Sequence, residues 1–205
     1  MTLKEYIEQH ILTRYEAFDK AHNLTHVADV IERSMALAKQ YDVDTDMVYA
    51  IAAYHDLGLC EGRERHHIVS GEIVARDKML LHWFTPEQIS IIKEAVEDHR
   101  ASNEQAPRSI YGCIVAEADR LIDTDITLRR TVQYGLKHLT SNDREVHYER
   151  FLHHLQEKYA EGGYLRLWLP HSDNRVRLDE LRSVIANREE LRRRFDQIYN
   201  EEVSF

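Results

Sequence analysis

The segment Tyr49–Leu59 reads YAIAAYHDLGL and joins an apolar helical run to an adjacent His55 and Asp56. The run is apolar on nearly all sides, which is typical of a helix at the centre of a bundle. Gly58 suits the C-terminal end of such a helix. Burying an ionised aspartate is costly unless it is paired or binds a metal. The pair therefore either lies where the helix reaches the surface or faces a cation.

The composition indicates a soluble, mostly helical protein. The chain has 205 residues, enough for one domain with or without an appendage, and is 43% hydrophobic and 31% charged. Only seven Gly and three Pro punctuate it, which favours helices over turn-rich β-structure. The net charge of −9 argues against binding of extended nucleic acid through a broad basic face.

Helical periodicity predicts an all-α architecture. Thr85, Pro86 and Gln88 form a helix-start signal with a capping box. Strand-like alternation is confined to residues 164–169, where we expect a loop or an edge piece. Apolar stripes predict helices over about 3–18, 24–41, 47–57, 67–81, 85–99, 110–122, 126–139, 143–159 and 175–199.

Cysteine usage and hydropathy point to a reducing compartment. Cys60 and Cys113 are too few for a disulfide framework and form no CxxC pair. The N-terminal residues MTLKEYIEQH lack the apolar core of a secretion signal. No apolar stretch approaches the roughly 20 residues of a membrane span. We therefore expect a cytoplasmic protein that does not bind membranes.

Imidazoles and carboxylates are concentrated in a few segments of this chain, which has 13 histidines. Without thiolates, such a set suits a divalent metal that supports hydrolysis or oxygen chemistry. The candidate residues are His22, His26, His55, Asp56, His66, His67, His99 and Asp119.

The order of His26, the His55-Asp56 pair and Asp119 in the sequence EADRLID resembles the HD-domain superfamily of metal-dependent phosphohydrolases. The resemblance covers about residues 14–125. It implies an HD-domain helical bundle over residues 1–125, with additional C-terminal helices over 126–205. We expect those helices to pack on the core as part of the same domain, as a small cap, or as a homodimer surface.

The resemblance also implies the site residues. His26, His55, Asp56 and Asp119 would bind a first divalent ion, and Asp56 would bridge to a second. His66 and His99 would complete the second site and, with Asp56, form the catalytic group. His67 is the alternative to His66, and Asp98 is a carboxylate substitute beside His99. For the substrate we expect His22, Arg100 and Arg120, and Asp123 could orient a ligand histidine from the face it shares with Asp119.

The function implied is hydrolysis of a phosphomonoester or phosphodiester, nucleotide-like, by metal-activated water. One or two ions of Mn, Fe, Co, Ni, Zn or Mg would serve as cofactor. Two alternatives stay open: a di-iron oxygenase of the same fold, and a noncatalytic metal- or nucleotide-binding module.

Overall fold

The computed structural model of the protein describes residues 1–18, 22–103, 105–170 and 172–204. Within these ranges the chain folds into α-helices and short 3₁₀ and π segments without a β-strand, so the all-α prediction is confirmed. The chain divides into two compact units, Met1–Arg120 and Leu121–Phe205. The division thus comes slightly before the boundary predicted at residue 125.

The described residues of the first unit form six α-helices. They are α1 (Leu3–Tyr6), α2 (Leu24–Ala38), α3 (Thr45–Tyr54), α4 (His66–Arg76), α5 (Pro86–Asp98) and α6 (Ile110–Asp119). Short 3₁₀ segments cover Leu57–Glu61 and Lys78–His82. The predicted capping box at the start of α5 is present, with Thr85 accepting from the Gln88 N–H and Gln88 bonding back to the Thr85 N–H.

The N-terminal stripe does not form the continuous α-helix predicted over 3–18. After α1 the chain widens into a π segment, Ile7–Ile11, and then tightens into a 3₁₀ segment, Leu12–Ala17. The buried residues Leu3, Ile7, Ile11 and Tyr15 recur every four residues, which is longer than the 3.6 residues of an α-helical turn. A wider turn within this stretch therefore keeps the stripe on the buried side.

Helix α3 is the central helix of the first unit, as its composition predicts. All but one of the residues from Met47 to Tyr54 are buried, and the helix packs against α2, α4, α5 and α6. Asp44 caps it by accepting the backbone N–H groups of Asp46 and Met47. Because α3 is surrounded by other helices, the His55-Asp56 pair at its end is also buried, at 0% and 3% exposed.

The prediction that Gly58 ends α3 is wrong. The helix stops at Tyr54, and Gly58 lies in the following 3₁₀ segment. A Cβ atom on Gly58 would come within 2.0 Å of the His66 carbonyl oxygen and 2.6 Å of the Ser70 nitrogen. The Gly58 N–H also donates to Ser70 Oγ at 2.8 Å. Glycine therefore lets the start of α4, which carries His66, approach the end of α3.

The second unit contains α7 (Thr124–His138), α8 (Arg144–Lys158), α9 (Asp173–Ala186) and α10 (Arg188–Val203). The prediction of a single helix over 175–199 is wrong, because Asn187 separates α9 from α10 and caps α10 by accepting the Glu190 N–H. Residues 164–169 form a loop. Among the helices of the described ranges, none has both the length and the apolar composition that crossing a bilayer requires.

Candidate metal centre

Six side chains from five separate segments converge in the first unit. Each comes from the first turn or the end of a helix, so the polar groups meet where the apolar helix bodies stop. His26 lies in the first turn of α2 and His66 starts α4, while His55-Asp56, His99 and Asp119 end α3, α5 and α6.

The first cluster is formed by His26, His55, Asp56 and Asp119. The Nε2 atoms of His26 and His55 are 3.3 Å apart. Asp56 Oδ2 lies 3.2 Å from His55 Nε2 and 3.5 Å from His26 Nε2. Asp119 Oδ1 lies 3.3 Å from His26 Nε2 and 3.8 Å from His55 Nε2. His26, His55 and Asp56 thus form a group that could hold a metal ion, and Asp119 lies beside its two histidines.

The second cluster uses the other oxygen of the same aspartate. Asp56 Oδ1 lies 3.5 Å from His66 Nε2 and 3.4 Å from His99 Nε2. The two Nε2 atoms are 3.2 Å apart. Asp56 therefore presents one carboxylate oxygen to each pair of histidines, which is the arrangement a bridging carboxylate needs.

Hydrogen bonds on the far side of the rings prepare these histidines for a cation. The Nδ1 atoms of His55, His66 and His99 lie 2.7, 2.8 and 2.6 Å from backbone carbonyl oxygens. A carbonyl only accepts, so Nδ1 donates, and each neutral ring then presents an Nε2 lone pair. This outer hydrogen bond is the usual partner of a metal-binding histidine.

The spacing of the ligand atoms fits a divalent ion. In neutral rings, the lone pairs of His66 and His99 would face each other at 3.2 Å, which is unfavourable unless a cation lies between them. Two ligands at about 2.1 Å from one ion, at tetrahedral or octahedral angles, are about 3.0–3.4 Å apart. Most of the separations in the two clusters are close to this range, and two groups of residues are able to hold a metal ion: His26, His55 and Asp56, and Asp56, His66 and His99.

The charges of the cluster are strongly coupled. Burial alone would raise the pKa of Asp56, but the neighbouring His55 and His26 outweigh it and hold the pKa well below its usual range. Burial likewise opposes a charge on His26, yet hydrogen bonds to Asp119 and Asp56 raise its pKa to about 9. At Asp119 burial is likewise outweighed, by a hydrogen bond from His26 that lowers the pKa. Asp56 and Asp119 therefore stay ionised at neutral pH and can balance a cation.

Tyr15 supports the site and was not assigned to it from the sequence. Its hydroxyl donates to the Ala53 carbonyl at 2.9 Å and accepts the Asp56 N–H at 3.3 Å. Burial raises the pKa of Tyr15 well above its ordinary value, so the hydroxyl keeps its proton. The signal in the sequence was a tyrosine on an apolar stripe, since a buried tyrosine hydroxyl usually finds a partner.

Of the two adjacent histidines, His66 and not His67 faces Asp56. Burial and the nearby Arg100 lower the pKa of His67 to about 4, and its ring lies outside both groups of potential ligands in the described part of the chain. The geometry therefore favours His66 over His67, and the assignment of His66 as a ligand stays a prediction.

Two carboxylates that the sequence suggested for the site have other partners. Asp98, expected as a substitute ligand, accepts instead from the backbone N–H and the Nε of Arg108 at 2.7 and 3.0 Å. Asp123 was expected on the helical face of Asp119, but α6 ends at Asp119. Asp123 caps α7 by accepting the Ile126 N–H, so the helix-face argument for it was wrong.

The residues expected to contact substrate differ in their surroundings. His22 packs edge-on against His26, with ring centroids 5.7 Å apart, and its Nε2 is 3.0 Å from Arg63 Nη2. Arg100 donates to the Glu64 carbonyl at 2.7 Å. Arg120 is only 7% exposed, and burial lowers its pKa against the attraction of nearby Asp119. A substrate role for these residues stays a prediction.

Comparison with known proteins agrees with this geometry. Residues 23–123, which include the six converging side chains, match the HD domain family. The fold is similar to a crystal structure described as a predicted HD superfamily hydrolase from an uncultured Thermotogales bacterium. That similarity has 21% identity and a TM-score of 0.50, and it covers 76% of this chain and 94% of the other. No curated protein matches the chain. Residues 23–123 of this chain therefore form an HD domain.

Proposed function

We propose that this protein is a metal-dependent phosphohydrolase that acts on a phosphomonoester or phosphodiester of nucleotide type. The observation that carries the proposal is the position of Asp56, whose two oxygens face two separate pairs of histidines. A divalent ion bound there lowers the pKa of water toward neutrality and polarises a phosphoryl oxygen.

Two cationic side chains near the centre support a phosphorylated substrate. Arg63 contacts His22, which packs on His26 beside the first cluster. Arg100 lies near the second cluster, where its charge contributes to lowering the pKa of His66. Guanidinium groups bind phosphate oxygens in a fork geometry. Arg63 and Arg100 would therefore bind the phosphate of a substrate held at the two clusters.

The histidines and aspartates of the two clusters would serve as ligands of the metal. His55, His66 and His99 keep their Nδ1 protons on backbone carbonyls, so in the neutral form of each ring Nε2 is the atom available as a ligand. Asp56 and Asp119 supply negative charge that balances part of the charge of the cofactor. Four points stay predictions: the identity of the metal ion, the number of ions bound, a cytoplasmic location and the formation of a homodimer.

The test is a metal and substrate screen of the purified protein. The chain is stripped with a chelator and reloaded separately with Mn, Fe, Co, Ni, Zn and Mg. Each form is then assayed on p-nitrophenyl phosphate, bis-p-nitrophenyl phosphate and nucleoside phosphates, with Asp56→Asn as the control. We expect hydrolysis by at least one loaded form and none by the variant. Failure of every form to hydrolyse any of these phosphates would refute the proposal.

Measurements with an oxygen electrode distinguish the oxygenase alternative from hydrolysis. Oxygen uptake by the iron-loaded protein in the presence of a polyol or phosphonate substrate, absent with zinc, would assign the centre to oxygen chemistry. Hydrolysis that proceeds equally without oxygen would support our proposal instead.

A further inference from the structure

Tyr15 lies outside the residues that match the HD domain, yet it contacts the backbone of the central aspartate. It is fully buried, in the 3₁₀ segment Leu12–Ala17. Its hydroxyl lies between two backbone groups, the Ala53 carbonyl at 2.9 Å and the Asp56 N–H at 3.3 Å. One side chain thus links the last turn of α3 to the first residue that leaves it.

These two backbone groups belong to the part of a helix that lacks regular partners. The last carbonyls of an α-helix have no intrahelical N–H to accept, and Asp56 has already left helical geometry, with φ −107° and ψ 4°. Without Tyr15, this turn would depend on the flanking residues alone. The position of the turn decides where both carboxylate oxygens of Asp56 point.

We propose that Tyr15 is a positioning residue for the metal centre, because its hydroxyl fixes the backbone from which Asp56 reaches both clusters. The inference rests on the proposed metal centre and goes beyond it. It assigns a role to the N-terminal segment, which lies before the residues of the HD domain match. Outer partners that orient metal ligands typically contribute 10–100-fold to metal affinity.

Tyr54 provides a matched control on the same helix. It too is fully buried, and it immediately precedes His55 in sequence. Its hydroxyl donates to Asp77 Oδ2 at 2.6 Å, away from the six clustered side chains. Changing either tyrosine to phenylalanine removes one buried hydroxyl and keeps the ring, so both variants should lose thermal stability. Only one of them should change the metal centre.

The experiment measures Mn²⁺ binding by calorimetry to stripped wild-type protein, Tyr15→Phe and Tyr54→Phe. We expect Tyr15→Phe to weaken Mn²⁺ binding by about 10-fold or more, and Tyr54→Phe to bind within about 2-fold of wild type. Equal affinities for wild type and Tyr15→Phe would overturn the inference. An equal loss in Tyr54→Phe would also overturn it, because the effect would then follow from general destabilisation.

A second measurement needs no variant. In the stripped wild-type protein, the Asp56 amide should resist hydrogen exchange before any metal is added, because Tyr15 already accepts its hydrogen bond. Rapid exchange of that amide would overturn the inference even if Tyr15→Phe failed to fold. Absence of Mn²⁺ binding by wild type, with Asp56 protected, would instead refute the proposed metal centre and so separates the two failures.

Discussion

Metal binding at the first cluster should depend strongly on pH, because His26 must lose a proton to become a ligand. In the stripped protein its pKa is raised from 6.5 to about 9 by Asp119 and Asp56, against the effect of burial. A ligand histidine must be neutral. At pH 7 about one His26 in 100 is neutral, and at pH 8 about one in 10. We therefore expect the apparent Mn²⁺ association constant to rise about tenfold from pH 7 to pH 8 and to level off above pH 9.

The proton on His26, which opposes metal binding, should stabilise the folded state of the stripped protein. The pKa of His26 is higher in the folded state than its ordinary value of 6.5. Its contribution to the free energy of unfolding is therefore fully present below pH 6.5 and is lost as the pH rises through about 9. A shift of 2.5 pKa units, from 6.5 to 9, corresponds to about 3 kcal/mol. The metal-loaded protein should lack this loss.

The assay is competition between the protein and a Mn²⁺ indicator dye across pH 6.5–9, with the dye calibrated at each pH. His26→Asn is the control, because it lacks the titrating group while a neutral polar side chain remains. We expect weaker binding by the variant and a much shallower pH dependence. A wild-type affinity that changes less than about threefold between pH 7 and pH 8, or an equal slope in the variant, would refute the reasoning.

Three further substitutions test how the fold supports the site. Asp56→Asn should abolish hydrolysis and lower the bound metal measured by mass spectrometry while the circular dichroism spectrum stays helical; unchanged metal content would contradict the bridging role. Gly58→Ala should lower the free energy of unfolding by at least about 2 kcal/mol in denaturant titrations, because its Cβ would overlap α4. The control Gly135→Ala in α7 should be neutral or stabilising. Similar free energies for the two variants would refute the close-approach argument. Arg108→Ala should weaken binding of a second Mn²⁺ ion, because Arg108 forms ion pairs with Asp98 and Glu97 at the end of α5. It should also lower the free energy of unfolding by about 1 kcal/mol. The control is Arg193→Ala, which removes an exposed ion pair, and equal Mn²⁺ binding by the two variants would count against this prediction.

Local signals in the sequence predicted the central helix and the start of α5, whereas the set of candidate ligands came from the resemblance to a known family. The apolar stretch before His55 predicted the central helix, and TPEQ predicted the start of α5 with its capping box. Asp119 on an apolar helical face was unexplained without a cation, and the structure brings it within 3.3 Å of His26 Nε2. These features depend on residues a few positions apart, which a sequence displays directly.

Contacts between distant segments were not predictable in the same way. Nothing near Tyr15 in the sequence indicates that its hydroxyl meets Asp56, 41 residues later. Asp98 looked like a ligand because it precedes His99, but Arg108 takes its carboxylate in an ion pair. Gly58 looked like a helix stop, although its role is close packing against α4. Each outcome depends on which elements pack together, and that is set by the whole fold.

The most direct test of the central claim is the anomalous X-ray signal from crystals of the protein loaded with Mn²⁺. The account predicts at least one strong anomalous peak within bonding distance of the Asp56 carboxylate and of the Nε2 atoms of His26 and His55. Absence of a peak at this position in fully loaded crystals, with peaks elsewhere or none at all, would contradict it.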